Sequence, residues 1–246
     1  MQNENKPEIR IQLDGERIAG QPLRFGEAPE VFVYQGFRHT ARSTASFIEL
    51  VKRKGCAEGD RTVVAYTDQG IEAILDDSVK DRPQDTVTFG FTKSLELSEW
   101  GKVWDKPVDH KTLADFLNRQ DPSQVQGLEF FIEAVRNFKY TSVIDGDFSY
   151  DDRNNYTFAV KIRDQEGSVK IPKTLFLRIP LIEESEFLQT IEVEVDFQKP
   201  RSEQEKVLFL LSCPKFPRYW REAVKHEIQK VKEELAGYLV VAGKLG

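Results

Sequence analysis

Three stretches of this 246-residue chain interleave cations with aromatic rings. Arg38, His39 and Arg42 stand just ahead of the basic run Lys52-Arg53-Lys54. Arg136, Lys139 and Tyr140 fall where a helical pattern gives way to an extended one, and Lys215, Phe216, Arg218, Tyr219 and Arg221 crowd a single short stretch. Cations neutralise phosphates while flat rings stack on bases, the combination that single-strand nucleic-acid binding uses. The plainer account is that Lys52–Lys54 complement the negative end of a helix dipole, and that solvated cations are ordinary in a chain with 35 Lys and Arg. Arg38, His39, Arg42, Arg136 and Lys139 are the candidate ligand-binding residues.

Patterns that would carry catalysis are sparse. The chain has no G-x-x-x-x-G-K-[ST] and no G-x-G-x-x-G, which excludes P-loop hydrolysis and speaks against a dinucleotide cofactor. It has no G-x-S-x-G elbow, and His39, His110 and His226 are isolated from one another. Asp145-Gly146-Asp147, with the pairs Asp76-Asp77 and Asp151-Asp152, could chelate a divalent ion as nuclease carboxylates do. A nuclease also wants a lysine beside its acids, and Asp and Gly are turn formers. No catalytic residue, metal ligand or cofactor is assigned. Cys56 follows Gly55 past a cationic helix end, a setting that lowers a thiol pKa modestly, whereas Cys213 stands far from it with no Cys-x-x-Cys. A disulfide framework and a zinc ribbon are excluded, and a reducing cytoplasm is the expected compartment.

Composition bounds the rest. The chain is 39% hydrophobic and 31% charged with a net charge of −6, an ordinary globular balance. The acidic excess excludes a uniformly basic nucleic-acid binder but leaves room for a local patch. No apolar run approaches the roughly 20 residues of a spanning helix, and the polar start MQNENKPEIR is not a secretory leader.

Local signals place these residues on elements. Residues 1–30 read as a polar arm, partly ordered, with a short strand over Glu8–Asp14. From 31 to 246 the chain reads as one α+β domain with a possible subdivision near 105–122. Val31–Tyr34 and Phe37–Arg42 read as extended runs about Gly36. Ser43, the stripe from Phe47, the run Lys52–Lys54 and Gly55 form a complete helix signature. Thr62–Tyr66 and Ile71–Leu75 read as a hairpin, and Thr86–Phe91 as a further strand. Helices are expected over Leu95–Trp104, over His110–Asn118 behind Asp109, and from Asp121-Pro122-Ser123 to about Asn137. Strands are expected over Lys139–Ser149, Asn155–Arg163, Lys173–Leu181, Glu186–Phe197 and Lys206–Ser212, with Asp164–Gly167 as a link. Ile191, Val193 and Val195 alternate with Glu192, Glu194 and Asp196, which marks an antiparallel sheet with one dry face. A long helix opens at Pro217 with the core stripe Trp220, Val224, Ile228, Val231 and Leu235, and Tyr238–Val241 reads as a last short strand. The predicted architecture is mostly antiparallel sheet with a central helical block and the C-terminal helix packed on the sheet.

Three stretches together carry a family likeness. They are the run Phe37-Arg38-His39-Thr40-Ala41-Arg42-Ser43-Thr44-Ala45-Ser46-Phe47 with the Val63–Leu75 hairpin; the helical Leu97–Asn118 block with Glu99-Trp100 and Leu113-Ala114-Asp115-Phe116-Leu117; and Val169-Lys170-Ile171-Pro172 running into Leu175–Pro180 and Val193–Phe197. This layout, over roughly residues 35–235, resembles the phage and prophage family catalogued as domain of unknown function 2303; Ile9–Arg24 departs from it. The resemblance implies a protein of temperate-phage early regions and no established activity. The expectation is therefore a phage-encoded accessory protein acting by binding, with nucleic acid, a host or phage protein, or a small anion as partner. The alternatives are a metal-dependent nuclease or phosphohydrolase, and a structural homo-oligomer.

Overall fold

The structure, a computed structural model, describes residues 35–56, 61–78, 83–136, 149–151, 155–162, 165–198 and 207–245. The chain divides into Met1–Tyr34 and a unit Gln35–Gly246. The strand expected over Glu8–Asp14 and the run Val31–Tyr34 lie outside the described residues.

The second unit begins with β1 (Arg38–Thr40), α1 (Thr44–Lys54), β2 (Val63–Tyr66), β3 (Gly70–Ile74) and β4 (Thr86–Gly90). The middle holds α2 (Leu95–Trp100), β5 (Pro107–Asp109), α3 (His110–Leu117) and α4 (Leu128–Arg136). There follow β6 (Ser149–Asp151), β7 (Asn155–Ile162), β8 (Gln165–Pro172), β9 (Thr174–Pro180), β10 (Leu188–Gln198), β11 (Leu208–Ser212), α5 (Phe216–Glu234) and β12 (Leu239–Ala242). They form a five-stranded sheet ordered β1-β4-β3-β2-β12, a four-stranded sheet β5-β11-β10-β9 and a three-stranded sheet β6-β7-β8. The fold is α+β, with α5 packed against strands.

Local chemistry accounts for the helix ends. The Ser43 hydroxyl accepts from the Ser46 amide at 3.1 Å and starts α1, and Lys52, Arg53 and Lys54 fill its last turn. Gly55 ends it through close approach: a Cβ there would stand 2.5 Å from the Val51 carbonyl oxygen. Asp109 starts α3 by accepting from the Lys111 and Thr112 amides, both at 3.0 Å.

The four-stranded sheet has the alternation that the sequence shows. Ile191, Val193 and Val195 are buried and pair across to Leu177, Leu175 and Leu211, while Thr190, Glu194 and Asp196 are exposed. Each such fully buried aliphatic side chain contributes about 1.5–3 kcal/mol. Phe47, Ile48 and Val51 of α1 join the same core, which also takes Val64, Ala73 and Val87 from the five-stranded sheet.

Three expectations are corrected. The helix expected over Leu95–Trp104 stops at Trp100, because Trp104 bridges to Leu211 and the Asp105 amide donates to the Leu211 carbonyl at 2.7 Å. The helix expected from Asp121 starts only at Leu128. The edge of β9 captures the intervening segment, with Gln126 N donating to Phe176 O at 3.0 Å and Arg178 N to Gln124 O at 2.7 Å, and Gly127 turns at φ +70°. Residues 165–167, expected as a link, belong to β8, which pairs with β7 from Gln165↔Ile162 onward. Pairing among the described strands is mostly antiparallel, as expected, and the exceptions are both outer pairs of the five-stranded sheet, β1 with β4 and β12 with β2, which are parallel. A parallel neighbour needs a crossover, and the 19-residue α5 supplies it for β12.

Candidate ligand-binding site

The crossover through α5 brings the helix over the carboxyl ends of β2 and β12, whose last paired residues are Tyr66 and Ala242. A pocket of about 490 Å³ opens there. Tyr66, Thr67, Asp68 and Ala242 line it from the strands, and Trp220, Val224 and Ile228 give it an apolar wall from α5. The same helix adds Arg221, Lys225 and Lys232. With Ile228 these cations recur at i, i+4, i+7 and i+11, so they share one stripe beside the core stripe of Val224, Val231 and Leu235. Tyr66 and Trp220 are half-buried; the three cations are exposed.

Charge pairing separates these cations from their neighbours. Lys215 pairs with Glu192, Arg218 with Glu222 at 2.9 Å, and Lys230 with Glu186 at 3.0 Å. Glu192 beside Lys215 raises the lysine above its ordinary value, and Glu222 does the same for Arg218. Among the described residues, no carboxylate lies within ion-pair distance of Arg221, Lys225 or Lys232. Arg221 Nε donates to the Pro217 carbonyl at 3.2 Å, and Lys232 Nζ stands 4.5 Å from the centre of the Tyr66 ring. Three cations with no ion pair among the described residues therefore line the α5 side of an apolar, aromatic hollow whose strand side carries Asp68.

The residues expected from sequence fall elsewhere. Arg38 and His39 are exposed on β1, at one edge of the five-stranded sheet, and Arg42 is exposed just before the Ser43 cap. The His39 ring stacks parallel to Phe37 at 5.9 Å, and Lys54 Nζ stands 5.9 Å from the Phe37 centre. This is a small cation–aromatic cluster on the outermost of the described strands of that sheet. Arg136 ends α4, where Nη2 donates to Asn118 Oδ1 at 2.9 Å and ties it to the end of α3. Lys139, Tyr140, Asp145 and Asp147 lie outside the described residues. Of the third basic stretch, Arg221 reaches the pocket, whereas Lys215 and Arg218 are spent on ion pairs. Sequence reading passed over Lys225 and Lys232 as binding residues, although their spacing from Arg221 on one helix was the available signal.

Among the described residues, acids and thiols form no comparable constellation. Asp76 accepts from Ser78 Oγ at 2.6 Å and from Arg61 Nη2 at 2.7 Å, and these contacts, led by Ser78, hold its carboxyl below the ordinary value. Among the described residues, no three His, Cys, Asp or Glu converge as a metal site would require. Cys56 is half-buried. Burial pushes the Cys213 thiol up to about 11, helped by Glu194, Asp105 and Glu192, so it is a poor nucleophile at neutral pH.

The chain matches no protein-family model, no curated protein and no solved structure.

Proposed function

We propose that this chain is a phage-encoded accessory protein of the bacterial cytoplasm that works by binding an anionic ligand at the α5 pocket. The resemblance of Phe37–Phe47, Leu97–Asn118 and Val169–Phe197 to a phage family supports the context. The observation that supports binding is the segregation of charge on α5: the helix neutralises Arg218 and Lys230 with nearby carboxylates and keeps Arg221, Lys225 and Lys232 for the hollow beside Tyr66 and Trp220. An anion entering on the α5 side meets three cations and an apolar wall, with no ion pair among the described residues to break, while Asp68 faces it from the β2 turn.

Anisotropy of a short fluorescein-labelled single-stranded DNA, titrated at rising salt, tests the proposal. Binding is expected to weaken with salt as counterions compete. The triple variant Arg221→Ala/Lys225→Ala/Lys232→Ala should lose about tenfold or more in affinity, since each phosphate contact adds to the salt slope. Arg38→Ala/Arg42→Ala serves as the comparison, because those residues sit on the β1 edge, and should bind as the parent does. Loss in that pair with none in the triple variant would move the site to β1. Duplex DNA and a polyanion without bases complete the series.

A second reading has its own observation. β12 is an edge strand of the five-stranded sheet, and Leu239 and Val241 on it are 49% and 37% exposed. Exposed apolar edge strands invite pairing with another chain, which favours a homo-oligomer. Light scattering across a concentration series decides it: a constant monomer mass removes that reading.

A further inference from the structure

We infer that the α5 pocket takes a nucleoside phosphate, its base against the Trp220 wall and its phosphate on Arg221 and Lys225. The inference rests on the anion-binding reading above and adds to it the chemical class of the ligand.

Four features of the pocket point the same way. Its size, about 490 Å³, suits a small organic molecule and is far too small for a duplex. Its cations are not spread evenly. Arg221 and Lys225 are one helical turn apart, about 6 Å along the axis, so both reach one phosphate. Lys232 stands against the Tyr66 face, nearly two turns further on. Its wall is also of two kinds. Trp220, Val224 and Ile228 offer a flat apolar surface, which a bare inorganic anion does not use and a base does.

The strand side supplies the fourth feature. Thr67 and Asp68, which follow β2, bring a hydroxyl and an exposed carboxylate to the same pocket. A carboxylate repels a simple anion. It accepts hydrogen bonds from sugar hydroxyls or from the exocyclic amine of a base. A pocket that is cationic along α5 and acidic at the β2 turn therefore matches a ligand with phosphate at one end and donor groups at the other. A free mononucleotide and one unit of a single strand share that chemistry.

Calorimetry and tryptophan emission on the full chain separate the possibilities, with adenosine monophosphate, ribose phosphate, inorganic phosphate and a short oligoadenylate as probes. Adenosine monophosphate should bind about tenfold tighter than ribose phosphate, the increment of one base stacked on an aromatic ring, and should change Trp220 emission. Trp220→Leu should erase that preference by bringing adenosine monophosphate down to the affinity of ribose phosphate, whereas Trp220→Phe, which keeps a ring and guards against a folding defect, should retain it. Arg221→Ala/Lys225→Ala should weaken both probes. An oligoadenylate that binds tighter than the monomer makes the strand the source of the ligand; equal binding makes it the free nucleotide. Equal affinity for adenosine monophosphate and ribose phosphate overturns the nucleoside assignment while the anion site stands. Binding of none of the probes overturns both.

Discussion

The Ser185 hydroxyl donates to the Glu227 carboxylate at 2.5 Å, across the connection from β9 to β10 and onto α5. Glu227 is 3% exposed, in the middle of the helix that carries Arg221, Lys225 and Lys232. Ser185 in turn accepts from the Phe187 amide at 3.0 Å, and the His226 ring stacks on Phe187 at 4.0 Å. Together these contacts hold α5 on the four-stranded sheet at the level of Val224 and Ile228, where the pocket lies.

Ser185→Ala leaves a buried carboxylate short of its hydroxyl donor. The variant should lose about 1–3 kcal/mol, measured as a lowered urea midpoint with an unchanged slope. A midpoint equal to the parent's would mean that water replaces the hydroxyl and that the contact does not anchor the helix.

Ser94 ties the helical block to the sheet. Its hydroxyl accepts from the Leu97 amide at 3.0 Å, which starts α2, and donates to the Pro180 carbonyl at 2.6 Å, at the end of β9. At 2% exposure it has no water to fall back on. Ser94→Ala should cost about 1–2 kcal/mol by denaturant titration. Ser94→Thr keeps the hydroxyl and separates the cap from the volume change.

Acid should loosen α5 from α1. Lys52 Nζ pairs with Glu234 at 2.6 Å, and its hydrogen bond, the largest cause, holds the Glu234 carboxyl below the ordinary 4.5. A carboxyl depressed by folding contributes stability that is present above the unfolded value and is lost as pH falls through the folded one. Both side chains are exposed, so the effect is small and salt-sensitive. Glu234→Gln should therefore melt slightly below the parent at neutral pH, and the two curves should converge below pH 4.5. A gap that persists in acid would assign the effect to the α5 end itself.

The two thiols should react at different rates. With Cys213 buried and its thiol pushed up to about 11, little thiolate exists there at mildly alkaline pH, whereas Cys56 is half-buried. Iodoacetamide followed by peptide mass mapping should label Cys56 well before Cys213. Simultaneous labelling would show that Cys213 opens to solvent without unfolding.

The parts of this fold legible from residue order are those whose causes are local. Ser43 and Gly55 bound α1 because a hydroxyl and a missing Cβ act within four residues of the helix end. The alternation through Ile191, Val193 and Val195 declares a dry face whichever strand lies alongside. Asp109 announces α3 in the same way.

What stayed hidden depended on distant partners. The signal at Asp121-Pro122-Ser123 lost to the free edge of β9, some fifty residues on, because ladder hydrogen bonds to Phe176 and Arg178 were available to that backbone. The site followed the same logic. Residue types showed basic clusters but could not separate spent cations from free ones. Glu192 neutralises Lys215 from 23 positions away, and Glu186 neutralises Lys230 from 44. Chain order thus specified which faces are apolar and where helices start and stop, since those follow from side-chain type and short-range geometry. The parallel pairing of β12 with β2, and with it a pocket rimmed by Arg221, Lys225 and Lys232, arose only in the folded molecule, because long-range packing chooses which strand neighbours which and which charge finds an acid.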